Sequence, residues 1–303
     1  MLTVQHPQLR DLMWAVCSPP MIRSRPGWPA AFNLEVTAAI QQRLARTDVI
    51  ELERHLAACE TRFLGSYFEA LWDFYFQHDP RFTVVAKNLQ IRDGGNTLGE
   101  FDFIIYDHQT NKHLQLELAI KFYLGMCETN SHRYTDGKHV WIGPQARDRL
   151  DMKLLRALEH QLKLHQHPCA QQYLQQLGVD AVEPQLLFKG YLFQPQHAVP
   201  LPDYVPRSHY HAQWLRLNEV PRILNSAHPW FLLHKRHWPA PPYTENLSSP
   251  LTVEQVSQQL RDVIARKKRP CMIVQSAGTS TSEHALKRYF VTPDGWPQTQ
   301  ADA

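Results

Sequence analysis

Pairing cysteines are missing. The five thiols, Cys17, Cys59, Cys127, Cys169 and Cys271, form no C-x-x-C pair and are odd in number, which argues against a disulfide framework and fits reduced, mostly structural cysteines. No stretch reaches the length needed to span a bilayer. The opening MLTVQHPQLRDLMWAVCSPPMIRS also has no charged segment followed by a sustained apolar run, so a cytoplasmic protein without a membrane partner is expected. Excess charge is lacking too: a formal net charge of +3 excludes histone-like or tail-driven nucleic-acid binding, while a local basic surface remains open. Low-complexity runs, internal repeats and base-reading motifs are absent. Histidines are plentiful, but His165 with His167, and His209 with His211, have no Cys or acidic residue at familiar metal spacings, and they read as surface residues.

What is present is core material. With 303 residues, 43% of them hydrophobic and eight of them Trp, the chain can pack one large domain or a core with two appendages, and it should fold without a partner. Residues 1–60 combine a Pro-rich opening (Pro19, Pro20, Pro26, Pro29) with helical stretches at Val36–Arg46 and Val49–Ala58, an N-terminal helical layer. In TRFLGSYFEALWDFYFQ, residues Phe63, Tyr67, Ala70, Leu71 and Phe74 fall at helical spacing, with Thr61 as cap and His78, Asp79 and Pro80 as the stop. The pattern then turns to β in FTVVAKNLQIR, EFDFIIYD and KHLQLELAIKFYL, separated by RDGGNTLG and HQTN, which predicts an antiparallel meander. Pro144 opens a long helix, QARDRLDMKLLRALEHQLKLH, whose Leu150, Leu154, Leu158 and Leu162 form one stripe, and QLLFKGYLFQP is the next strand. Residues 61–200 are thus an α/β core of helix, three-strand antiparallel meander, helix and strand. Residues 201–303 form an α+β C-terminal extension, with a strand at WFLLHKRHW, a helix at TVEQVSQQLRDVIARKK and a strand pair near CMIVQ and RYFVTP.

The second and third strands carry the candidate chemistry. Strand alternation puts Glu100, Asp102 and Ile104 on one face, and Glu117, Ala119 and Lys121 on one face of the next strand. A turn centred on HQTN sets Asp102 across from Glu117 and Glu100 across from Ala119. Opposed carboxylates, with Cβ atoms roughly 4.5 to 5.5 Å apart, repel unless a proton or a cation relieves them. Mg²⁺ or Mn²⁺ suits an all-oxygen site, activates water and offsets charge developing on a phosphate. The competing reading is a solvated sheet face with cross-strand ion pairs.

The hairpin resembles the PD-(D/E)XK restriction-endonuclease-like superfamily, in which EFD would supply the acid of the second strand and LELAIKF the acid-x-Lys strand. LGSYFEALWDF, GEFDF, ELAIKFYLG, WIGPQARDRLDMKL and RYFVTPDGW further resemble a bacterial domain-of-unknown-function family (DUF 1853 type) placed in that superfamily, and this likeness runs through most of the chain. The resemblance implies a metal-dependent nuclease acting on DNA, with Glu100, Asp102 and Glu117 as metal ligands and Asp102, Glu117 and Lys121 as catalytic residues. Glu69, on the helix before the sheet, stands where superfamily members often carry an auxiliary acid; an ordinary exposed helical Glu is the alternative. One departure is plain: Ala119 stands where the acid two residues before Lys121 belongs. Glu117 and Lys121 are then about 13 Å apart along the strand instead of about 7 Å. Glu100, facing Ala119 in that register, would replace the missing carboxylate.

Lys138, Arg147, Arg149, Lys153 and Arg156 either line a groove for the phosphate backbone or form the wet face of the following helix. Asp148 and Asp151 near its start are read as complements to the helix dipole and not as site residues. Phe122, Tyr123 and Trp141 are read as core, and Trp214, Trp230, Trp238 and Trp296 as packing of the extension. The alternative to an enzyme is a non-catalytic nucleic-acid-binding or interaction module that keeps the nuclease fold, with a structural protein as a third option. Oligomeric state leaves no signature in the sequence.

Overall fold

The computed structural model describes residues 6–59, 61–127, 139–209, 211–225, 227–241, 247, 249–276 and 286–297. Pro7 opens α1 (Pro7–Cys17), where its missing N–H removes a donor that would have no helical partner. This helix precedes Pro19 and Pro20, in a stretch for which no helix was expected. A short strand, β1 (Ala30–Ala31), follows. Thr37 then caps α2 (Ala38–Ala45) by accepting from the Ile40 N–H, and Asp48 caps α3 (Val49–Ala58) by accepting from the Ile50 and Glu51 N–H groups. Helix α4 (Leu64–His78) starts after Phe63, with no side-chain cap; Thr61 does not cap it. Tyr67, Phe68, Ala70, Leu71, Trp72, Phe74, Tyr75 and Phe76 of α4 are all buried. Phe63, expected on its buried face, is instead 71% exposed, because it adopts extended backbone one residue ahead of the helix.

Gly94 and Gly95, at φ 53° and 93°, make a two-residue turn of positive φ and pair β2 (Phe82–Asp93) with β3 (Asn96–Asp107) from Asp93↔Asn96. The strands therefore run further into RDGGNTLG than their β-rich segments suggest. The next turn is His108 to Asn111, closed by the Asp107 carboxylate, which accepts from the Gln109 N–H (2.9 Å) and the Thr110 hydroxyl (3.0 Å). Arg81 grips both oxygens of Asp107 at 2.8 Å. This turn sets β3 against β4 (Lys112–Met126) as Phe103↔Leu116, Ile104↔Gln115 and Ile105↔Leu114, the expected register. β5 (Val140–Ile142) pairs antiparallel with the end of β4.

The long helix expected from Pro144 to His165 is two shorter pieces, α5 (Leu150–Glu159) and a 3-10 helix at Gln161–Gln166, and a further helix that was not expected, α6 (Pro168–Gln176), follows. The start of α5 is displaced because the Gly143 N–H donates to the Asp148 carbonyl, Ala146 sits at φ 55°, and Arg149 bridges to Ile142 in extended backbone. At the other end His160 leaves helical geometry, and Pro168 restarts it. β6 (Glu183–Gln194) then returns parallel to β4, from Leu114↔Glu183 to Leu124↔Phe193.

β6 carries the sheet onward, pairing in parallel with β1 near its start and with β7 (His211–Arg216) near its end. β8 (Trp230–Leu233) is shorter than the WFLLHKRHW segment, since His234 caps a 3-10 turn at Lys235–His237. Helix α7 (Val253–Lys267) has a Thr252/Gln255 capping box and precedes β9 (Cys271–Ser276) and β10 (Leu286–Thr292), which pair antiparallel. Among the described residues the result is one mixed ten-stranded sheet in the order β2-β3-β4-β6-β7-β10-β9-β8, with β1 on β6 and β5 on β4.

Helices α1, α3 and α4 cover one sheet face with Leu12, Leu56 and Trp72; α5 covers the other with Leu150, Leu154 and Ala157 against Ala119 and Phe188. Phe122, Tyr123, Trp141, Trp214, Trp230, Trp238 and Trp296 are buried, as expected of packing residues. The histidines differ from expectation. His209 is buried, and His165, in the 3-10 helix, is half-buried with its ring 3.0 Å from Gln115 Oε1. Among the described residues no helix is long and apolar enough to cross a membrane.

Candidate active site

Asp102 and Glu117 are opposed in register, but the β3–β4 ladder ends one step earlier, at Phe103↔Leu116. The Leu118 N–H donates to Asp102 Oδ2 at 2.7 Å, so a carboxylate takes a main-chain donor that the ladder would have used. Beyond that point β4 is held by β6, and Glu100 has no ladder contact with Ala119; it pairs with Gln90 of β2. Ala119 is packed among Leu150, Leu154 and Ala157.

Glu117 is buried to 3% exposure and Asp102 is half-buried. Burial raises the Asp102 carboxyl above its usual range, and Glu117 and Glu69 raise it further against the Leu118 hydrogen bond. Burial likewise raises Glu117, opposed by Lys153. Glu69, on α4, is raised by burial and then by Glu100. Four carboxylates from α4, β3 and β4 therefore share one electrostatic neighbourhood, and among the described residues two cations reach it: Lys87 of β2, which opposes Glu69, and Lys153 of α5, which opposes Asp102 and Glu117. The Lys153 Nζ lies 3.5 Å from Glu117 Oε1 and 3.3 Å from Gln161 Oε1.

Lys121 is elsewhere on the same strand face: its Nζ is 2.8 Å from Asp148 Oδ2. The loop that displaces the start of α5 makes this pairing. Gly143 lies so close to Asp148 that a Cβ there would meet its Oδ1 at 1.9 Å. Asp148, read from the sequence as a complement to the helix dipole, thus pairs with Lys121 and lines the adjoining cavity. Arg147 lines the same cavity, Arg149 pairs with Asp151 at 2.6 Å, and Arg156 is exposed on α5. Lys138 lies outside the described residues.

The cavity beside the carboxylates has a volume of about 770 Å³ and runs from Phe63 and Glu69, over Leu118–Phe122, to Asp148, Lys153, Lys235 and Arg269. Lys235 and Arg269 were not recognised from the sequence, where nothing ties either to the hairpin. Lys153, named from the sequence as a groove-lining or wet-face residue, borders the buried stripe of Leu150, Leu154 and Ala157 on α5 and reaches Glu117.

A separate cluster, His55, Cys59 and Asp73, offers three ligand atoms within 4.8 Å of one another. Asp73 is already served by the Lys87 ammonium, His55 and Gln77, and these bonds outweigh burial and hold its carboxyl below the usual range. Its charge is compensated without a metal, unlike that of the hairpin acids.

A family model described as a domain of unknown function (DUF1853) matches residues 10–292. The chain belongs to this family. The match spans the helical N-terminal region, the acidic hairpin and β10. No curated protein and no solved structure matches the chain.

Proposed function

We propose that this protein is a metal-dependent nuclease, or a nuclease-like protein, acting on DNA phosphodiesters through a restriction-endonuclease-like core. The observation that carries the reading is the pair Asp102 and Glu117: two inward carboxylates, both raised by burial, facing one lysine. Two such groups are costly in a low-dielectric site unless charge is brought to them. The order α4-β2-β3-β4-β5-α5-α6-β6, with β6 parallel to β4, supports the same reading, since it contains the helix, three-strand meander, helix and strand that the resemblance implies.

The donor set is all oxygen, which suits Mg²⁺ or Mn²⁺ held by Asp102 and Glu117, with Glu100 or Glu69 as outer acids. When bound, such an ion supplies charge neutralisation and an activated water. In this reading Asp102 is oriented by the Leu118 N–H. Lys153 holds Glu117 in place and stands ready to offset charge on a phosphate oxygen. Lys121, paired with Asp148, serves the neighbouring part of the cavity. Ala119, buried where the acid-x-Lys pattern wants a carboxylate, favours the second reading, a non-catalytic nucleic-acid-binding module of cytoplasmic bacterial origin.

Calorimetric titration of Mn²⁺ into wild type, Asp102→Asn and Glu117→Gln, with a DNA cleavage assay in parallel, separates the two. Metal binding and cleavage lost in both variants supports the nuclease. Salt-sensitive DNA binding with no metal uptake supports the module and ends the nuclease reading.

A further inference from the structure

The cavity is cationic in a way the carboxylate site does not require. Lys121, Arg147, Lys153, Lys235 and Arg269 line it against two carboxylates, Glu69 and Asp148. Lys121 and Lys153 have acidic partners. Among the described residues Lys235 and Arg269 pair with no carboxylate; the Lys235 ammonium lies 5.9 Å from the Trp238 ring centroid. Their position follows from the topology. β8 and β9 pair as Leu233↔Met272, so the 3-10 turn after β8 and the residues before β9 emerge at the same end of the sheet, over β4. Burial first, then Arg269 and Lys121, depress the Lys235 ammonium, as expected when like charges crowd one corner. An anion is the missing partner.

Phe63, 71% exposed and one residue ahead of α4, lines the same cavity. A flat exposed ring beside a basic channel is the arrangement that holds single-stranded nucleic acid, because every base has a face to stack and every nucleotide a phosphate. A cavity of about 770 Å³ is of the size that takes small ligands, which suits one or two nucleotides of an unpaired strand and not a duplex.

We infer that this cavity binds a single-stranded segment of nucleic acid, with a backbone phosphate held by Lys121, Lys235 and Arg269 and a base stacked on Phe63. The inference rests on the nuclease-like reading for its choice of polymer, and it names the form of strand that reading leaves open. No ion is needed for this contact.

The test is fluorescence anisotropy of a short dye-labelled oligothymidylate with the full chain in EDTA, at roughly 50 to 200 mM salt. Wild type should bind it in preference to a duplex of equal length. Lys235→Ala and Arg269→Ala should each lower the slope of log affinity against log salt, by at most about 0.7, the value for one wholly lost phosphate contact on a single strand. Phe63→Ala should weaken binding about tenfold at unchanged slope. Lys235→Arg should bind like wild type, which guards against a folding defect in the alanine variant. Wild-type slopes in both alanine variants, or duplex binding as tight as single-strand binding, overturns the inference. Loss of the Mn²⁺ titration alone condemns the metal reading, while unchanged slopes alone condemn the phosphate corner.

Discussion

Replacing Asp102 by Asn should make the metal-free protein more stable. The wild-type carboxylate is held up by burial and by Glu117, so the folded state at neutral pH either carries an unfavourable charge or takes up a proton that the unfolded chain would release. An amide of nearly the same shape removes the charge and keeps an oxygen to accept from the Leu118 N–H, now 2.7 Å from Oδ2. Each unit by which a pKa is raised is worth about 1.4 kcal/mol, and allowing for the lost attraction to Lys153 a gain of about 2 kcal/mol at pH 8 is reasonable. For a chain of this size that is roughly 4 °C in melting temperature. The sign follows from linkage. A carboxyl with a raised folded-state pKa destabilises the fold above that pKa, and the penalty disappears as pH falls towards the unfolded value near 4. The advantage of Asn should therefore be largest at pH 8 and gone by about pH 4. Thermal denaturation in EDTA across that range measures it, and Mn²⁺ should reverse the order by stabilising wild type alone. A variant less stable than wild type at pH 8, or one whose difference does not change with pH, would refute the charge argument.

Three further outcomes are expected. Lys153→Met removes the cation 3.5 Å from Glu117, so calorimetry should show Mn²⁺ affinity unchanged or tighter while cleavage falls about 100-fold. Arg81→Ala breaks both bonds to buried Asp107 and should cost about 3 kcal/mol in urea unfolding at pH 7. Although burial pushes the Asp107 carboxyl up, hydrogen bonds led by Arg81 hold it below the usual range; this stabilisation is present above about pH 4, and the difference between variant and wild type should shrink as pH falls below that. Gly190→Ala should yield insoluble protein, since Gly190 sits at φ 141° and a Cβ would lie 1.7 Å from the Lys121 carbonyl oxygen; a soluble variant with a wild-type circular dichroism spectrum would contradict this.

The hairpin was legible because its information is local. The alternation of β3 and β4 and the length of the His108 to Asn111 turn fix the register as far as Phe103↔Leu116. What happens past that pair was not legible, because it depends on the Asp102 carboxylate competing for the Leu118 N–H and on β6 taking over β4. The start of α5 was misplaced for a related reason: Pro144 is a good first helical residue, but the Gly143–Asp148 contact ties this stretch to β5 instead. Lys121 and Lys153 illustrate the limit on the site. Strand spacing links Lys121 to Glu117, yet the lysine beside Glu117 comes from a helix, and Lys235 and Arg269 arrive from more than 100 residues away.

Among the described residues the last strand, β10, is not at a sheet edge: it is inserted between β7 and β9. During synthesis the meander can close as it emerges, whereas the second half of the sheet waits for Leu286–Thr292. Until then β7 and β9 each offer an open row of peptide groups bearing apolar side chains such as Trp214 and Ile273. A polypeptide released before that point keeps two adhesive borders, so a premature stop, or a C-terminal fusion that hinders the final insertion, should produce self-association and not a shortened but otherwise intact fold.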